Sequence, residues 1–319
     1  METGRSDEVI VVGGGVIGLT TAVVLAEHGR RVRVWTRDPV ERTTSAVAGA
    51  LWWPYRIEPV ALARVWALRS LDVYAELAAR PEVTGVRMVE GVLGEGDLDG
   101  ADAWAAARVP GLRRATAHEH AGGTGLWARL PLIDMSTHLP WLRERFLAAG
   151  GAIETRTVSA LAEAGTEAPV VVNCTGLGAR ELVPDTSVRP VRGQLVVVEN
   201  PGIRTWVTSS EPSGEMAYFF PQPGRLLLGG TADDGEWSLE PDPEVAEAIV
   251  RRCARLRPEI AGARVLDHRV GLRPVRDAVR LEREPLPDGR VLVHNYGHGG
   301  AGVTVAWGCA EEAAALASG

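Results

Sequence analysis

Apolar runs in this chain are short and are repeatedly cut by glycine. Val9–Val12 is fully apolar and runs into Gly13, Leu19–His28 carries apolar residues at helical spacing, and Val32–Thr36 is apolar again. This pattern predicts a strand, a helix and a strand over residues 8–37, with Gly29 where a helix end favours a left-handed residue. Ala61–Ala79 predicts a long helix, and Met135–Ala149 predicts another, closed by Gly150 and Gly151. Val170–Asn173 is a short apolar strand leading into Asn173–Gly178 (NCTGLG). Near the C-terminus, Val291–Val293 leads into a turn, His294–Thr304 (HNYGHGGAGVT), that opens a closing helix. Residues 80–128 are mixed, with several glycines and only weak strand patterns.

Residues 188–231 change character. The stretches QLVVVENP, YFFPQPG and RLLLGGTAD alternate or run apolar between Pro and Gly, which predicts antiparallel strands. A helix, Glu244–Leu256, and strands around Val265–Leu272 follow. No repeat or low-complexity linker separates these regions. The expectation is an α/β fold with two interwoven domains. A Rossmann-like dinucleotide-binding domain takes residues 1–75, 131–184 and 262–319, and a β-rich substrate domain of mixed or antiparallel sheet takes residues 76–130 and 185–261.

The first glycine turn is Gly13-x-Gly15-x-x-Gly18, set between a strand and a helix within a βαβ unit. That context makes it a dinucleotide fingerprint: Gly13 for the tight turn, Gly15 for close approach of a pyrophosphate, Gly18 for packing of the helix on the strand. The helix N-terminus then points its positive end at phosphate. A second glycine turn at the far end of the chain suggests a long cofactor gripped from both sides. The ribose-binding acid is less clear, because the second strand ends Trp35-Thr36-Arg37-Asp38. The acid comes late and an arginine precedes it, so this position alone leaves both FAD and NADP open. Thr43–Tyr55 (TTSAVAGALWWPY) combines small residues and hydroxyls with Trp52, Trp53 and Tyr55, a composition suited to the wall of a flat-ring site.

Composition narrows the function further. The net charge of −7, with both signs interspersed, argues against a nucleic-acid partner. All 34 basic residues are arginine, so Schiff-base and P-loop lysine chemistry are both excluded. Cys174, Cys253 and Cys309 are far apart and odd in number, which indicates neither a disulfide framework nor a zinc site. No apolar stretch approaches the roughly 20 residues of a membrane span, and the first apolar run leads into a glycine turn rather than a cleavage site. The expectation is a cytoplasmic protein with no membrane partner.

With these segments in place, the chain resembles the FAD-dependent D-amino-acid oxidases over nearly its whole length. The resemblance rests on GGGVIGLTTA (13–22), AGALWWPY (48–55), VNCTG (172–176), RGQLV (192–196), YFFPQPG with LLLGGT, GLRPVR (271–276) and the C-terminal glycine turn. It implies non-covalent FAD bound by Gly13, Gly15, Val16, Ile17 and Gly18, by Arg37 and Asp38, and by Thr43, Thr44 and Ser45. It adds Gly49, Ala50 and Leu51, the backbone of Val158, then Thr175 and Gly176. From the second turn it adds His298, Gly299, Gly300, Ala301, Gly302, Val303 and Thr304.

The resemblance also implies that Arg273 grips the substrate α-carboxylate and contacts the flavin, that Tyr218 shares the carboxylate, and that the Gly300 carbonyl takes the amine. Leu51, Trp53 and Tyr55 would line the substrate pocket. The implied reaction is hydride transfer from a D-amino acid to flavin N5, with O2 as final acceptor, giving a 2-oxo acid, ammonia and hydrogen peroxide. A homodimer is a further implication.

Two positions depart from the family pattern. Gly214 stands where some members carry a lid tyrosine, and Trp53 replaces a smaller polar residue. Residues 205–217 carry no cation for a second carboxylate, so neutral D-amino acids are expected. Competing readings are another flavin amine oxidase of the D-aspartate, glycine or sarcosine type, an NADP-dependent reductase, and a silent flavoprotein.

Overall fold

The structure, a computed structural model, describes residues 7–94, 96–100, 102–119, 125–210, 215–285 and 290–319. Among these, fourteen strands form one continuous mixed sheet. At its parallel end lie Ala152–Thr155, Arg31–Thr36, Glu8–Val12, Val170–Asn173 and Val291–His298, side by side. Glu8–Val12 sends Val9 and Val11 into one apolar cluster and Ile10 and Val12 into another. Coverage on both faces is why such a strand reads as an unbroken apolar run. The βαβ unit is as expected, except that its helix begins at Val16 rather than Leu19. Gly29 takes the left-handed conformation, with φ +85°.

Helix Val16–Glu27 has no polar face because it is enclosed between the sheet and the C-terminal helix Gly302–Ser318. Helix Val60–Leu77 packs on the outer side of Gly302–Ser318, tied to it by the Tyr74 hydroxyl, which donates to the Val303 carbonyl at 2.7 Å.

Beyond Val291–His298 the sheet becomes antiparallel. Val265–Pro285 pairs with Val291–His298 on one side and Arg189–Glu199 on the other. Arg225–Gly229, Met216–Gln222 and Trp206–Ser210 follow in antiparallel register. Val86–Leu93 then joins Trp206–Ser210 in parallel, with Leu126–Ile133 beyond it. Helix Pro243–Leu256 covers one face of this half, packing Ile249 and Cys253 against Val196, Val198, Phe219 and Leu228.

Two elements correct the sequence expectation. The strand expected around Val265–Leu272 continues to Pro285, because the exposed charges of Glu282, Arg283 and Glu284 hide its alternation while its backbone still pairs with Val291–His298. The turn expected to open at His294 opens only at Gly299, because His294, Asn295 and Tyr296 inside the last strand are buried and hydrogen-bonded. The Asn173 amide lies 3.3 Å from His294 Nδ1, Asn295 donates to Thr21, and Tyr296 donates to Asp185 at 2.8 Å. The ladder between Val265–Val275 and Arg189–Glu199 crosses the boundary expected between residues 261 and 262, so one sheet runs through both expected domains. No helix among the described residues is long and apolar enough to cross a membrane.

Candidate active site

A cleft of about 1440 Å³ lies over the junction of the two sheet halves. Its nucleotide end is built by the first glycine turn. Gly13 has φ +118°, and a Cβ there would sit 2.3 Å from the Cys174 carbonyl oxygen, so conformation and space both demand glycine. Gly15 precedes the helix, whose first N–H, on Val16, donates to the Ser45 hydroxyl at 2.9 Å. Arg37 and Asp38 line the same end and pair with each other at 2.8 Å. Asn173 accepts from both the N–H and the hydroxyl of Thr175 and so shapes the strand-to-turn exit beside Gly176.

The second glycine turn closes the cleft from the opposite side. Helix Gly302–Ser318 starts here, which gives the cleft a second set of helix N-terminal N–H groups. The Thr304 hydroxyl is bonded to the backbone of Trp53, donating to its carbonyl at 3.1 Å and accepting its N–H at 3.4 Å. It therefore locks the aromatic segment onto the helix. His298 is buried at the cleft wall with Nε2 unpartnered, and burial pushes its pKa down to about 3. A neutral imidazole with a free ring nitrogen is what this position presents at neutral pH.

The third wall carries Arg273, Tyr218 and Phe220. Arg273 sits midway along Val265–Pro285, and its guanidinium donates to the Thr231 carbonyl at 3.0 Å. Those atoms occupy the space a side chain at position 193 would fill: a Cβ on Gly193 would lie 2.4 Å from both terminal nitrogens. Tyr218 stacks on Phe220 with ring centroids 4.8 Å apart. Burial raises the Tyr218 pKa despite the neighbouring Arg273, so the phenol is neutral. Gly300 comes up against this group, since a Cβ there would lie 3.5 Å from both Arg273 Cδ and Tyr55 Cδ1.

The family model for FAD dependent oxidoreductases matches residues 8–316. A D-amino-acid oxidase from Streptomyces coelicolor is 79% identical over 315 residues, covering 98% of each chain. A human D-aspartate oxidase is 36% identical over 338 residues, covering 100% of this chain and 96% of its own. Among solved structures, glycine oxidase from Geobacillus kaustophilus superposes with a TM-score of 0.81 at 21% identity, covering 98% of this chain and 95% of its own. The chain belongs to the FAD-dependent oxidoreductase family.

The residues present fit that family's cofactor. A glycine cradle and two helix N-termini suit a pyrophosphate and a polar ring edge, and the buried, unpartnered His298 nitrogen lies at the wall of the same cleft. The NADP reading of Arg37 falls with the family assignment.

Nearly all the residues expected at the site line this one cleft: Gly13, Gly15, Val16 and Ile17; Thr43, Thr44, Ser45, Gly49, Ala50 and Leu51; Val158, Thr175 and Gly176; and His298 to Thr304 apart from Ala301. Gly18 and Ala301 do not line it. Gly18 packs against the Gly13 carbonyl beneath the turn, and Ala301 is fully buried in the main core. The lid position, Gly214, lies outside the described residues. Sequence reasoning missed Phe220, Met216 and Trp104 as lining residues. The two-residue spacing of Met216, Tyr218 and Phe220 on one strand face would have revealed the first two. Trp104 comes from an irregular segment with no periodic signal.

Proposed function

We propose that this family member is a D-amino-acid oxidase acting on neutral D-amino acids. The observation that carries the reading is the Arg273 guanidinium, held by the Arg192 and Thr231 carbonyls beside a neutral tyrosine hydroxyl and next to Gly300, in a two-sided dinucleotide cleft. A planar guanidinium binds a carboxylate through two parallel N–H bonds and so fixes its orientation. Tyr218 adds a hydroxyl donor for the same carboxylate, and the Gly300 carbonyl accepts from the amine. Anchoring both polar groups of an α-amino acid leaves only one of its two enantiomers with Cα–H directed at the cofactor. Orientation of this kind accounts for roughly 7–11 kcal/mol of a barrier in well-aligned systems.

Bound FAD supplies the two-electron acceptor, which O2 reoxidises to give hydrogen peroxide. The imino acid released from the site takes up water, yielding a 2-oxo acid and ammonia. We read the parallel half of the sheet as the FAD-binding part and the antiparallel half as the substrate part. Leu51, Trp53, Tyr55, Phe220 and Met216 contribute apolar lining to the cleft that holds Arg273, which supports neutral side chains. The cytoplasm is the expected setting, in keeping with three buried free thiols.

The direct test is peroxide release from the purified holoenzyme with both enantiomers of alanine, valine and methionine. The D-forms should react and the L-forms should not; absence of peroxide with every D-amino acid overturns the reading. Arg273→Ala should raise KM sharply and lower kcat as well, because binding and alignment are lost together.

A further inference from the structure

Trp104 lies in none of the segments that carry the family resemblance, yet it lines the same cleft as Arg273. It stands on the excursion that leaves the sheet after Leu93 and returns at Arg113. Its ring centroid is 5.9 Å from that of Trp53 and 6.4 Å from that of Trp52. Trp52 is fully buried and donates to the Ala67 carbonyl, which fixes one member of the trio. Ala105 and Val109, both buried, root the excursion in the main core, and Arg108 pairs with Asp72 on helix Val60–Leu77. Trp104 and Trp53 stay partly exposed and line the cleft, where the Arg64 guanidinium stands over the Trp104 ring at 5.7 Å from its centroid.

The sheet register sets where this wall stands. Tyr218 pairs with Thr208, and Thr208 with Leu93, and all three line the cleft as one row across neighbouring strands. Two strand spacings, about 10 Å, therefore separate the Tyr218 strand from the strand that ends at Leu93 and hands over to the Trp104 segment. A large side chain on a substrate anchored at Arg273 and Tyr218 extends further toward that wall than a methyl group does.

We propose that Trp104, with Trp53, forms a subsite that accepts large apolar side chains of the substrate and thereby sets the enzyme's size preference. This rests on the oxidase reading for which substrate is held, but the wall itself is a binding feature. An aromatic side chain lying on fixed indoles removes apolar area from water and gains ring–ring contact. The preference for D-phenylalanine over D-alanine is then a property of Trp104 rather than of the carboxylate anchor.

The test compares wild-type, Trp104→Ala and Trp104→Phe holoenzymes in two measurements. In steady-state kinetics, Trp104→Ala should lower kcat/KM for D-phenylalanine roughly tenfold, mainly through KM, while D-alanine changes by less than about twofold. Trp104→Phe should keep most of the preference. In calorimetry, phenylpyruvate binding should weaken about as much in Trp104→Ala, with pyruvate binding unchanged. Parallel losses for large and small ligands would show Trp104 to be merely structural, and unchanged phenylpyruvate affinity would also overturn the subsite. If the wild type releases no peroxide but binds phenylpyruvate through Trp104, the subsite stands and the oxidase reading falls.

Discussion

Gly193→Ala should disable the enzyme while leaving it folded. Position 193 lies inside strand Arg189–Glu199, paired with Gly271, in backbone geometry that alanine adopts freely. The added methyl would stand 2.4 Å from both terminal nitrogens of Arg273 and 2.5 Å from Cζ. Ordinary contact needs about 3.5 Å, so the guanidinium must retreat by about 1 Å. It is the far end of a flexible side chain, so it moves without disturbing the sheet, and the stability change should stay within about 1 kcal/mol. The bond from Arg273 to the Thr231 carbonyl fixes the present position, and it is lost or bent by that movement. Misplacement of a positioning group by about 1 Å costs on the order of 100-fold in rate. The assay is kcat/KM for a good D-amino acid, alongside FAD content and the denaturation midpoint. A variant with wild-type kcat/KM would refute the placement of Arg273 at the substrate carboxylate. A variant that fails to fold would refute the claim that the clash is absorbed by the side chain.

Two further predictions concern stability. A Cβ at Gly308 would meet the Trp66 Cα and carbonyl oxygen at 2.4 Å, backbone atoms that cannot rotate away, so Gly308→Ala should cost about 1–3 kcal/mol despite alanine's better helix propensity. Urea denaturation measures it, and a stabilised variant would contradict the close helix crossing. Burial holds the His138 pKa at about 4, below the unfolded value of 6.5, so the unfolded chain binds the extra proton between those pH values. Stability from this group is therefore full above the unfolded pKa and falls as pH drops toward 4, by up to about 3 kcal/mol. His298 acts in the same direction, with its pKa at about 3. His138→Asn should flatten the acid limb of the unfolding free energy; a pH dependence identical to wild type would exclude the imidazole as a contributor.

Local chemistry made much of the nucleotide end legible. The glycines at 13, 15 and 18, the enclosed helix after them and Gly29 at its end are short-range requirements of backbone geometry and burial, so they appear in consecutive residues. Strand ends were harder to read. Buried polar residues such as Asn295 and Tyr296 resemble a loop until their partners, Thr21 and Asp185, are known, and those partners lie far away in the chain. The charged stretch Glu282–Glu284 hid a strand for the complementary reason: pairing satisfies its backbone while its side chains remain exposed.

The chain's order of residues thus determined the βαβ unit, the paired glycine turns and the family to which their combination belongs. Only the tertiary structure decided what stands opposite Arg273. Gly193 makes room for the guanidinium and the Thr231 carbonyl holds it, each from a different stretch of chain. No periodicity encodes such meetings, because they arise from strand register and helix crossing, where residues distant in sequence are brought within a few ångströms by the packing of the whole sheet.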